Sequence, residues 1–317
     1  MSENAIEVAG LVKHFGYVAA LDGLDLTVPA GQVTGFLGPN GAGKTTTIRV
    51  ILGLIKADAG TVRLLGGNPW TDAVALHKRL AYVPGDVALW PNLTGGQIID
   101  VLSALCGGLE TARRNAMIER FQLDPTKKAQ TYSKGNRQKV ALVAALASRA
   151  ELLVLDEPTS GLDPIMEAEF QAVIREVKAE GRSVLLSSHI FAEVESLADR
   201  VTIIRAGKTV EASAMNELRH LSQTQVKVVT DTPLAVQSIP GVRDVRVDGD
   251  DVSFTVQSGD WDKVLQALSL LRIHTLEANP PSLEEVFLSH YMDDLAAADA
   301  SAGAIENSAR VQGEASK

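Results

Sequence analysis

The sequence predicts an α/β fold with a buried parallel sheet, followed by a small α+β domain. Two short apolar runs, ELLVLDEP at 151–158 and RSVLLSSH at 182–189, are typical of strands buried on both faces of a parallel sheet. Helical stretches lie between such strand-like runs, and this alternation favours an α/β architecture. The length of 317 residues corresponds to about two domains.

Charge and cysteine content exclude several classes of protein. Acidic residues outnumber basic residues by 39 to 30, so the formal net charge is −9. Dedicated nucleic-acid-binding proteins usually carry a basic surface, so we expect no nucleic-acid partner. The single cysteine, Cys106, excludes an internal disulfide. It lies in the apolar helical stretch LSALCGGL, where a packing role is favoured over a nucleophilic one.

Hydropathy indicates that the chain does not cross a membrane. No apolar run reaches the roughly 18 residues that a spanning helix needs. The N-terminus also lacks the basic and apolar regions of a signal peptide. We therefore expect a soluble, cytoplasmic polypeptide that reaches a membrane only through a partner chain.

Residues 1–221 are predicted to form the main domain, in which strands and helices alternate. After β-like runs in residues 1–35, strands are expected at Gln32–Leu37 and in the runs TVRLLG, RLAYVPG, ELLVLDEP and RSVLLSSH. A helix is expected from Lys44 to about Ile55, and a helical subdomain over about residues 92–150. The run ADRVTIIRAGKTVEASA predicts a hairpin with its turn at Ala206–Gly207.

Residues 222–292 are predicted to form a second, ferredoxin-like domain, because the pattern has the order β-α-β-β-α-β. The expected elements are strand Val226–Thr230, helix Leu234–Ile239, strand Val242–Val247, a turn at Asp248–Gly249, strand Val252–Gln257, helix Trp261–Leu271 and strand Ile273–Leu276. A last helix begins at PPSLEEVFLSHY, where Ser282 and Glu285 have the spacing of a capping box. Residues 293–317 are rich in alanine and lack aromatic residues, which predicts a disordered tail; a short frayed helix is the alternative.

The run from Gly38 to Thr45, GPNGAGKT, matches the pattern G-x-x-x-x-G-K-[ST] between a predicted strand and a predicted helix. Glycines allow the backbone N–H groups of such a loop to converge on a phosphate, and the following helix adds its positive end. The Lys44 ammonium is placed for the β- and γ-phosphates, and the Thr45 hydroxyl for Mg²⁺. This stretch predicts a nucleoside triphosphate site.

Two acids follow the predicted strand 152–156 and supply the expected second half of that site. Asp156 ends the strand LLVLD and is predicted to enter the Mg²⁺ shell. Glu157 is the next residue, and its carboxylate is predicted to polarise a water for attack on the γ-phosphate. The alternative is a strand that ends in two solvated acids, and the phosphate loop upstream makes this reading less favoured.

Three further stretches carry polar residues at places that suit a nucleotide. In YSKGNRQKV, Ser133 and Gly135 precede a helix and are candidates for a second phosphate site, while a plain helix N-cap is the alternative role for Ser133. The run SGLDP, residues 160–164, follows Glu157 closely. His189 ends the strand LLSSH and is a candidate γ-phosphate contact, although a histidine at a strand end is commonly structural.

Taken in order, these motifs in residues 5 to about 215 resemble the nucleotide-binding subunits of ATP-binding cassette (ABC) transporters. The resemblance implies two ATP molecules held between two head-to-tail copies, with Mg²⁺ bound by Thr45 and Asp156. It implies that Glu157 is the general base and that His189 holds the γ-phosphate. It implies that Ser133 and Gly135 contact the ATP of the opposite copy, that Asp163 bridges the copies and that Phe15 stacks on adenine. The phosphate-binding residues that it implies are Gly38, Pro39, Asn40, Gly41, Ala42, Gly43, Lys44, Thr45 and Thr46.

Two positions depart from the usual pattern of this family. Its signature is L-S-G-G-Q, whereas this chain has Tyr132-Ser133-Lys134-Gly135-Asn136. The serine and the second glycine remain, so we expect the signature to function. The family usually has a glutamine where this chain has Gly85, which offers no side chain. The neighbouring Asp86 is our candidate for a partial replacement, and a simple loop acid is the alternative.

The family resemblance also implies partners and a direction of transport. PPSLEEVFLSHY at the end of a small C-terminal domain resembles ATP-binding subunits of drug and antibiotic exporters whose membrane part is a separate chain. We expect a multi-spanning membrane subunit that docks near Trp90–Thr94, with Leu89 and Trp90 as contacts, at the cytoplasmic face of the cell membrane. Export of a hydrophobic compound or antibiotic is the leading expectation. The alternatives are an importer or lipid exporter, or a cassette ATPase of translation or DNA repair.

Overall fold

The computed structural model of the protein describes residues 3–221, 224–279 and 283–284. The pattern of contacts divides the chain into a first unit that ends at Met215 and a second that begins at Asn216. The predicted boundary at 221/222 stays a prediction. Among the described residues, no helix combines the length and the apolar character needed to cross a bilayer. The Ser282–Glu285 capping box, the helix at PPSLEEVFLSHY and the 293–317 tail lie largely or wholly outside the described residues.

The first unit contains two sheets and several helices. Its strands are β1 Asn4–Phe15, β2 Val18–Pro29, β3 Val33–Leu37, β4 Ala59–Leu64, β5 Leu80–Val83, β6 Leu152–Asp156, β7 Ser183–Ser188, β8 Arg200–Arg205 and β9 Lys208–Ala214. Its helices are α1 Lys44–Ile51, α2 Ala73–His77, α3 Gly95–Leu105, α4 Thr111–Arg120, α5 Lys134–Ala147, α6 Pro164–Ala179 and α7 Phe191–Leu197, and α8 Met215–Leu221 follows.

A six-stranded sheet with the order β5-β6-β7-β3-β8-β9 forms the centre of this unit. Its first five strands are parallel, and only β9 runs antiparallel. Every residue of β3, β6 and β7 is buried, as expected for strands covered on both faces. Because parallel strands end at the same edge, β3, β6 and β7 deliver Leu37, Asp156 and Ser188 to one side of the sheet. The α/β prediction is confirmed.

A second, antiparallel sheet with the order β2-β1-β4 packs its apolar side chains into the same core as α1 and the central sheet. The β8–β9 hairpin turns at Ala206–Gly207, as predicted, and both turn residues have positive φ, 46° and 76°. That combination is the type I′ pattern of two-residue hairpins.

Helices α3, α4 and α5 form the helical part of this unit, with contacts between α3 and α5 and between α4 and α5. Thr94 caps α3 through a capping box with Gln97. The helix predicted from Lys44 to Ile55 ends earlier, at Ile51. Gly53 has φ 67°, and the N–H groups of Gly53 and Leu54 bond to the carbonyls of Val50 and Arg49. This is a Schellman motif, so the glycine ends the helix.

The second unit has four strands and two helices among its residues 224–279. They are β10 Thr224–Thr230, α9 Pro233–Val236, β11 Val242–Asp248, β12 Asp251–Val256, α10 Trp261–Leu268 and β13 Ile273–Asn279. The sheet is antiparallel with the order β11-β12-β10-β13, which is the ferredoxin-like arrangement. Its core contains Val226, Val252 and Phe254 against Val264 and Leu268 of α10. The fold prediction is confirmed, although the hairpin turn lies one residue later than predicted, at Gly249–Asp250.

Candidate nucleotide site

A glycine-rich loop joins β3 to α1 and folds back over the edge of the central sheet. Gly41 and Gly43 have φ of 82° and 111°, a backbone region that L side chains rarely adopt. Gly38 has a different constraint, because a Cβ atom there would lie 2.4 Å from the carbonyl oxygen of Ile204. The loop therefore needs glycine both for its backbone conformation and for its close packing against β8.

The Lys44 side chain is 5% exposed and lies inside this loop. Its Nζ donates hydrogen bonds to the carbonyl oxygens of Gly38 and Pro39, at 2.7 and 3.3 Å. Glu157 Oε1 lies 3.4 Å from the same ammonium. The loop is thus folded around a buried cation, which is the arrangement needed to hold a chain of phosphates at the N-terminus of α1.

Thr45 and Asp156 lie side by side, although they come from different elements. Thr45 Oγ1 donates to Asp156 Oδ2 at 2.9 Å, and Ser187 Oγ donates to Asp156 Oδ1 at 2.5 Å. Asp156 is 2% exposed. A carboxylate and a hydroxyl are the hard oxygen ligands that Mg²⁺ prefers, so the residues present fit a magnesium ion.

Glu157 is held in an unusual backbone conformation at the end of β6, with φ 48°. Its N–H donates to the carbonyl and the hydroxyl of Ser187, at 3.1 and 3.2 Å. Its Oε1 lies 3.4 Å from Nδ1 of His189. Glu157 and His189 are 29% and 47% exposed, so both reach solvent beside the buried Lys44. The structure therefore brings together the predicted metal ligands, the predicted base and the predicted γ-phosphate contact.

A cavity of about 320 Å³ opens beside these groups. A Cβ atom on Gly85 would lie 3.2 Å from the carbonyl oxygen of Asp156, so the loop after β5 approaches the end of β6 closely. Burial and the nearby Asp156 carboxylate raise the pKa of Tyr82 to about 12. The cavity is lined by Thr45, Arg49, Tyr82, Pro84, Gly85, Asp86, Lys134, Asp156, Glu157 and Ser160.

Comparison with known proteins assigns the family. Residues 21–160 match the family model described as "ABC transporter", and residues 214–291 match the model "ATP-binding protein DrrA1-3-like, C-terminal domain". The daunorubicin/doxorubicin resistance ATP-binding protein DrrA of Streptomyces peucetius is 32% identical over 314 residues, which cover 92% of this chain and 94% of the relative. The chain belongs to the ATP-binding proteins of ABC transporters.

Two further similarities agree with this family. The daunorubicin resistance ATP-binding protein DrrA3 of Streptomyces coeruleorubidus is 39% identical over 69% of this chain and 71% of its own length. A solved structure titled "Structure of ATP binding subunit of ABC transporter" matches with a TM-score of 0.63 and 29% identity, over 68% of this chain and 92% of that chain. ABC ATPases couple ATP hydrolysis to transport, and this chain is an ABC ATPase.

The ABC signature residues lie at the start of α5. Ser133 is the N-cap of this helix, and its hydroxyl accepts from the Asn136 N–H at 3.3 Å. The N-cap role, which was the alternative expected for Ser133 from the sequence, is therefore present. A Cβ atom on Gly135 would lie 2.4 Å from the Gly161 carbonyl oxygen, and Lys134 Nζ donates to Ser160 Oγ at 3.0 Å. The signature loop thus packs against the loop that follows Glu157.

Asp163 and Phe15 occupy separate places in this ABC cassette. Asp163 caps α6, and its carboxylate accepts from the N–H groups of Ile165 and Met166. Phe15 ends β1, and its side chain is 52% exposed, with Lys13 Nζ 5.6 Å from the ring centroid. Among residues 3–221, none of the hydrogen bonds or ion pairs described for Asp163 and Phe15 links them to Lys44 or Glu157.

Ser187 is a site residue that sequence reasoning missed. Its hydroxyl donates to the carboxylate of Asp156 and also accepts from the Glu157 N–H, although it lies on β7 rather than β6. The run LLSSH carries the signal, because Ser187 and Ser188 follow three apolar residues in a strand that is wholly buried. A buried polar side chain needs a partner, which points to a role at the strand's end.

Proposed function

We propose that this chain is the ATP-hydrolysing subunit of an ABC exporter that moves a hydrophobic compound or antibiotic through a separate membrane subunit. The main support is that the similarity to the daunorubicin/doxorubicin resistance protein extends over nearly the whole length of both chains. The second unit adds support, because it matches the C-terminal domain model named for the same group of proteins. We place the subunit at the cytoplasmic face of the membrane, where ATP is available.

ATP binding is assigned to the loop from Gly38 to Thr46. Its backbone N–H groups and the N-terminus of α1 hold the phosphates, and the Lys44 ammonium exchanges its two carbonyl partners for phosphate oxygens. Thr45 and Asp156 would hold Mg²⁺, which would supply positive charge against the β- and γ-phosphates. Phe15 supplies an exposed ring for stacking on adenine.

Hydrolysis is assigned to Glu157 and His189. The Glu157 carboxylate, fixed through its backbone to Ser187, accepts a proton from the attacking water. His189 lies next to that carboxylate and orients the γ-phosphate. Lys44 lies 3.4 Å from Glu157, so the base and the phosphate-binding cation belong to one compact group.

A second copy of the chain is assigned the other half of each site. Ser133 and Lys134 are exposed at the N-terminus of α5, a 14-residue helix whose dipole favours an anion at that end. We propose that Ser133 and Gly135 contact the γ-phosphate held by the opposite copy, and that the exposed Asp163 bridges the copies.

The dimer is tested with Glu157→Gln, which keeps the shape of the side chain and removes the base. Light scattering of the full chain with ATP and Mg²⁺ is expected to show a stable dimer. Glu151→Gln, at the other end of β6, is the matched control and is expected to stay monomeric. A Glu157→Gln chain that remains monomeric at saturating ATP counts against the assignment.

Asp86 is proposed to replace part of the glutamine that Gly85 lacks. Asp86 is exposed and lines the same cavity as Thr45, Asp156 and Glu157. Asp86→Ala is expected to lower the ATPase rate of the assembled transporter several-fold. Asp262→Ala removes an exposed acid from α10 and is the control. An Asp86→Ala transporter with the rate of the control would leave Asp86 as a simple loop acid.

A membrane subunit is proposed to dock on an apolar groove of the first unit, in addition to the predicted contact at Trp90. The groove has a volume of about 600 Å³, and its rim includes Leu54, Val74 and Leu105, which are 56%, 77% and 62% exposed. Trp90 is 50% exposed. Exposed apolar area of this kind suits a protein partner.

Docking and direction of transport are measured with the co-expressed membrane subunit. Val74→Asp is expected to reduce co-purification at least tenfold, while Leu270→Asp, an equally exposed site in the second unit, is expected to leave it unchanged. Inside-out vesicles containing both subunits are expected to accumulate a hydrophobic dye when ATP is added. Accumulation only in right-side-out vesicles would assign the chain to an importer instead.

A further inference from the structure

Helix α7 begins two residues after His189 and carries a buried acid that the proposed hydrolysis does not use. Glu193 is 7% exposed, although it belongs to a residue type that is seldom buried without partners. Burial raises the pKa of its carboxyl, an effect that the Ser188 and Thr159 hydroxyls and the charge of His189 oppose, while Glu167 adds to it. A buried acid beside a reaction centre requires a physical explanation.

The backbone of α7 is held firmly against the strand that carries the phosphate loop. A Cβ atom on Gly35 would lie 2.1 Å from Cγ1 of Val194, so α7 packs directly on the bare backbone of β3. Val194 is the neighbour of Glu193, and Gly35 lies three residues before Gly38. The position of Glu193 is therefore fixed relative to the start of the phosphate loop.

From this fixed position, Glu193 holds the end of β7. Ser188 Oγ donates to Glu193 Oε2 at 2.6 Å and accepts from the Ile190 N–H at 3.0 Å. These two hydrogen bonds bracket His189, since Ser188 and Ile190 are its neighbours in the chain. The backbone from which the His189 imidazole extends is thus tied to Glu193.

The other side of the carboxylate faces the loop after Glu157. Thr159 is 8% exposed, and its hydroxyl lies close enough to lower the pKa of Glu193. Oε1 of Glu193 is buried and accepts no hydrogen bond from the residues that the structure describes. The hydrogen bond from Ser188 is therefore the contact that orients the Glu193 carboxylate.

We propose that Glu193 is a positioning residue for ATP hydrolysis, which ties the His189 end of β7 to helix α7 and, through α7, to β3. Through its hydrogen bond with Ser188, it fixes the backbone on both sides of His189 and so sets the 3.4 Å separation between His189 Nδ1 and Glu157 Oε1. The inference rests on the proposed roles of Glu157 and His189.

The test compares the steady-state ATPase kinetics of Glu193→Ala, Glu193→Gln and Ser188→Ala in the full chain. Because small misplacements of reacting groups cost one to two orders of magnitude in rate, Glu193→Ala is expected to lower kcat about tenfold. KM for ATP is expected to stay within about twofold, since the Lys44 loop is untouched. Glu193→Gln keeps an oxygen for the Ser188 hydroxyl and is expected to retain most of the rate.

Ser188→Ala is measured alone and in combination with Glu193→Ala. The comparison distinguishes loss of the Ser188–Glu193 hydrogen bond from a general loss of stability. The double variant is expected to lose less rate than the product of the two single losses, because both changes break the Ser188–Glu193 hydrogen bond, although Ser188→Ala also removes the acceptor of the Ile190 N–H. Glu195→Ala on the same helix is the matched control and is expected to keep kcat within about twofold. Each kcat is calculated per molecule that binds nucleotide, which is measured as the stoichiometry of nucleotide binding. A sample that contains unfolded protein therefore does not lower the measured kcat.

Two results would overturn the inference. One is a kcat for Glu193→Ala, per nucleotide-binding molecule, equal to that of the control; the other is additive losses in the double variant. If Glu193→Ala does not fold, Ser188→Ala decides, because it leaves α7 unchanged and breaks the same hydrogen bond, and a kcat equal to that of the control would then overturn the inference. Failure of the proposed function is recognised separately, since Glu157→Gln would then hydrolyse ATP at the unaltered rate.

Discussion

Gly135→Ala tests how closely the signature loop is packed against the loop that follows Glu157. The added Cβ would lie 2.4 Å from the Gly161 carbonyl oxygen, about 1 Å inside the 3.4 Å at which ordinary contact begins. Alanine in a helix is worth about 1 kcal/mol over glycine, which favours the variant. Overpacking costs about 1–3 kcal/mol, and contact with rigid backbone belongs at the upper end. The net expectation is a destabilisation of about 2 kcal/mol.

The assay is calorimetric unfolding of the full chain. A change of about 2 kcal/mol in a unit of this size lowers the melting temperature by roughly 4–8 °C. The control is Gly259→Ala, where an added Cβ meets no atom within 4 Å. Displacement of α5 from its neighbour is also expected to weaken the ATP-dependent dimer of Glu157→Gln, with ATP binding to the single chain unchanged. A melting temperature within about 1 °C of the control would refute the steric argument.

Three other predictions follow from particular contacts. Lys44→Ala is expected to weaken nucleotide binding at least tenfold by fluorescence titration, because it removes the buried cation; unchanged affinity would contradict this. Phe254→Ala is expected to cost the second unit about 3–5 kcal/mol, measured as a lower melting temperature with nucleotide binding intact, since the ring is 2% exposed. The Asp231 carboxylate raises the pKa of His274, so an NMR titration should show a midpoint above 6.5 that Asp231→Asn lowers. This pair stabilises the fold below the unfolded pKa of the histidine, and its contribution is lost as the pH rises through the raised folded value.

Local chemistry made much of the site predictable. The loop from Gly38 to Thr45 is contiguous, so the positive φ of its glycines and the lysine folded into it could be expected from residue type and spacing alone. Asp156 and Glu157 were predicted because an apolar strand that ends in acids must present them at the sheet edge. The ferredoxin-like order of residues 224–279 was likewise readable, since it depends on alternation along the chain rather than on pairing partners.

Contacts between strands could not be predicted in the same way. Ser187 donates a hydrogen bond to Asp156 because β7 lies beside β6 in the sheet. The order of strands in a sheet cannot be read from the sequence, so this contact was not predicted. The sequence suggested that Gly135 belongs to an anion site. The structure adds a steric reason for glycine at this position, because a side chain would collide with the carbonyl oxygen of Gly161. The helix predicted from Lys44 to about Ile55 ends at Ile51, because Gly53 adopts a positive φ that stops it, and a glycine inside an apolar run does not by itself mark that stop.

The place of β3 in the central sheet has a consequence for how the protein is made. Val33 pairs beside Val184 and Thr34 beside Arg200, and the N–H of Gly207 bonds to Ala42 within the phosphate loop. Contacts so distant in sequence form late, because the intervening chain must first be present and ordered. During synthesis on a ribosome, the nucleotide loop therefore emerges early but lacks β8 and Gly207 on one side until about residue 207 has left the exit tunnel. A shorter nascent chain has β7 but not β8 beside β3, so the loop is completed only when nearly all of the first unit exists.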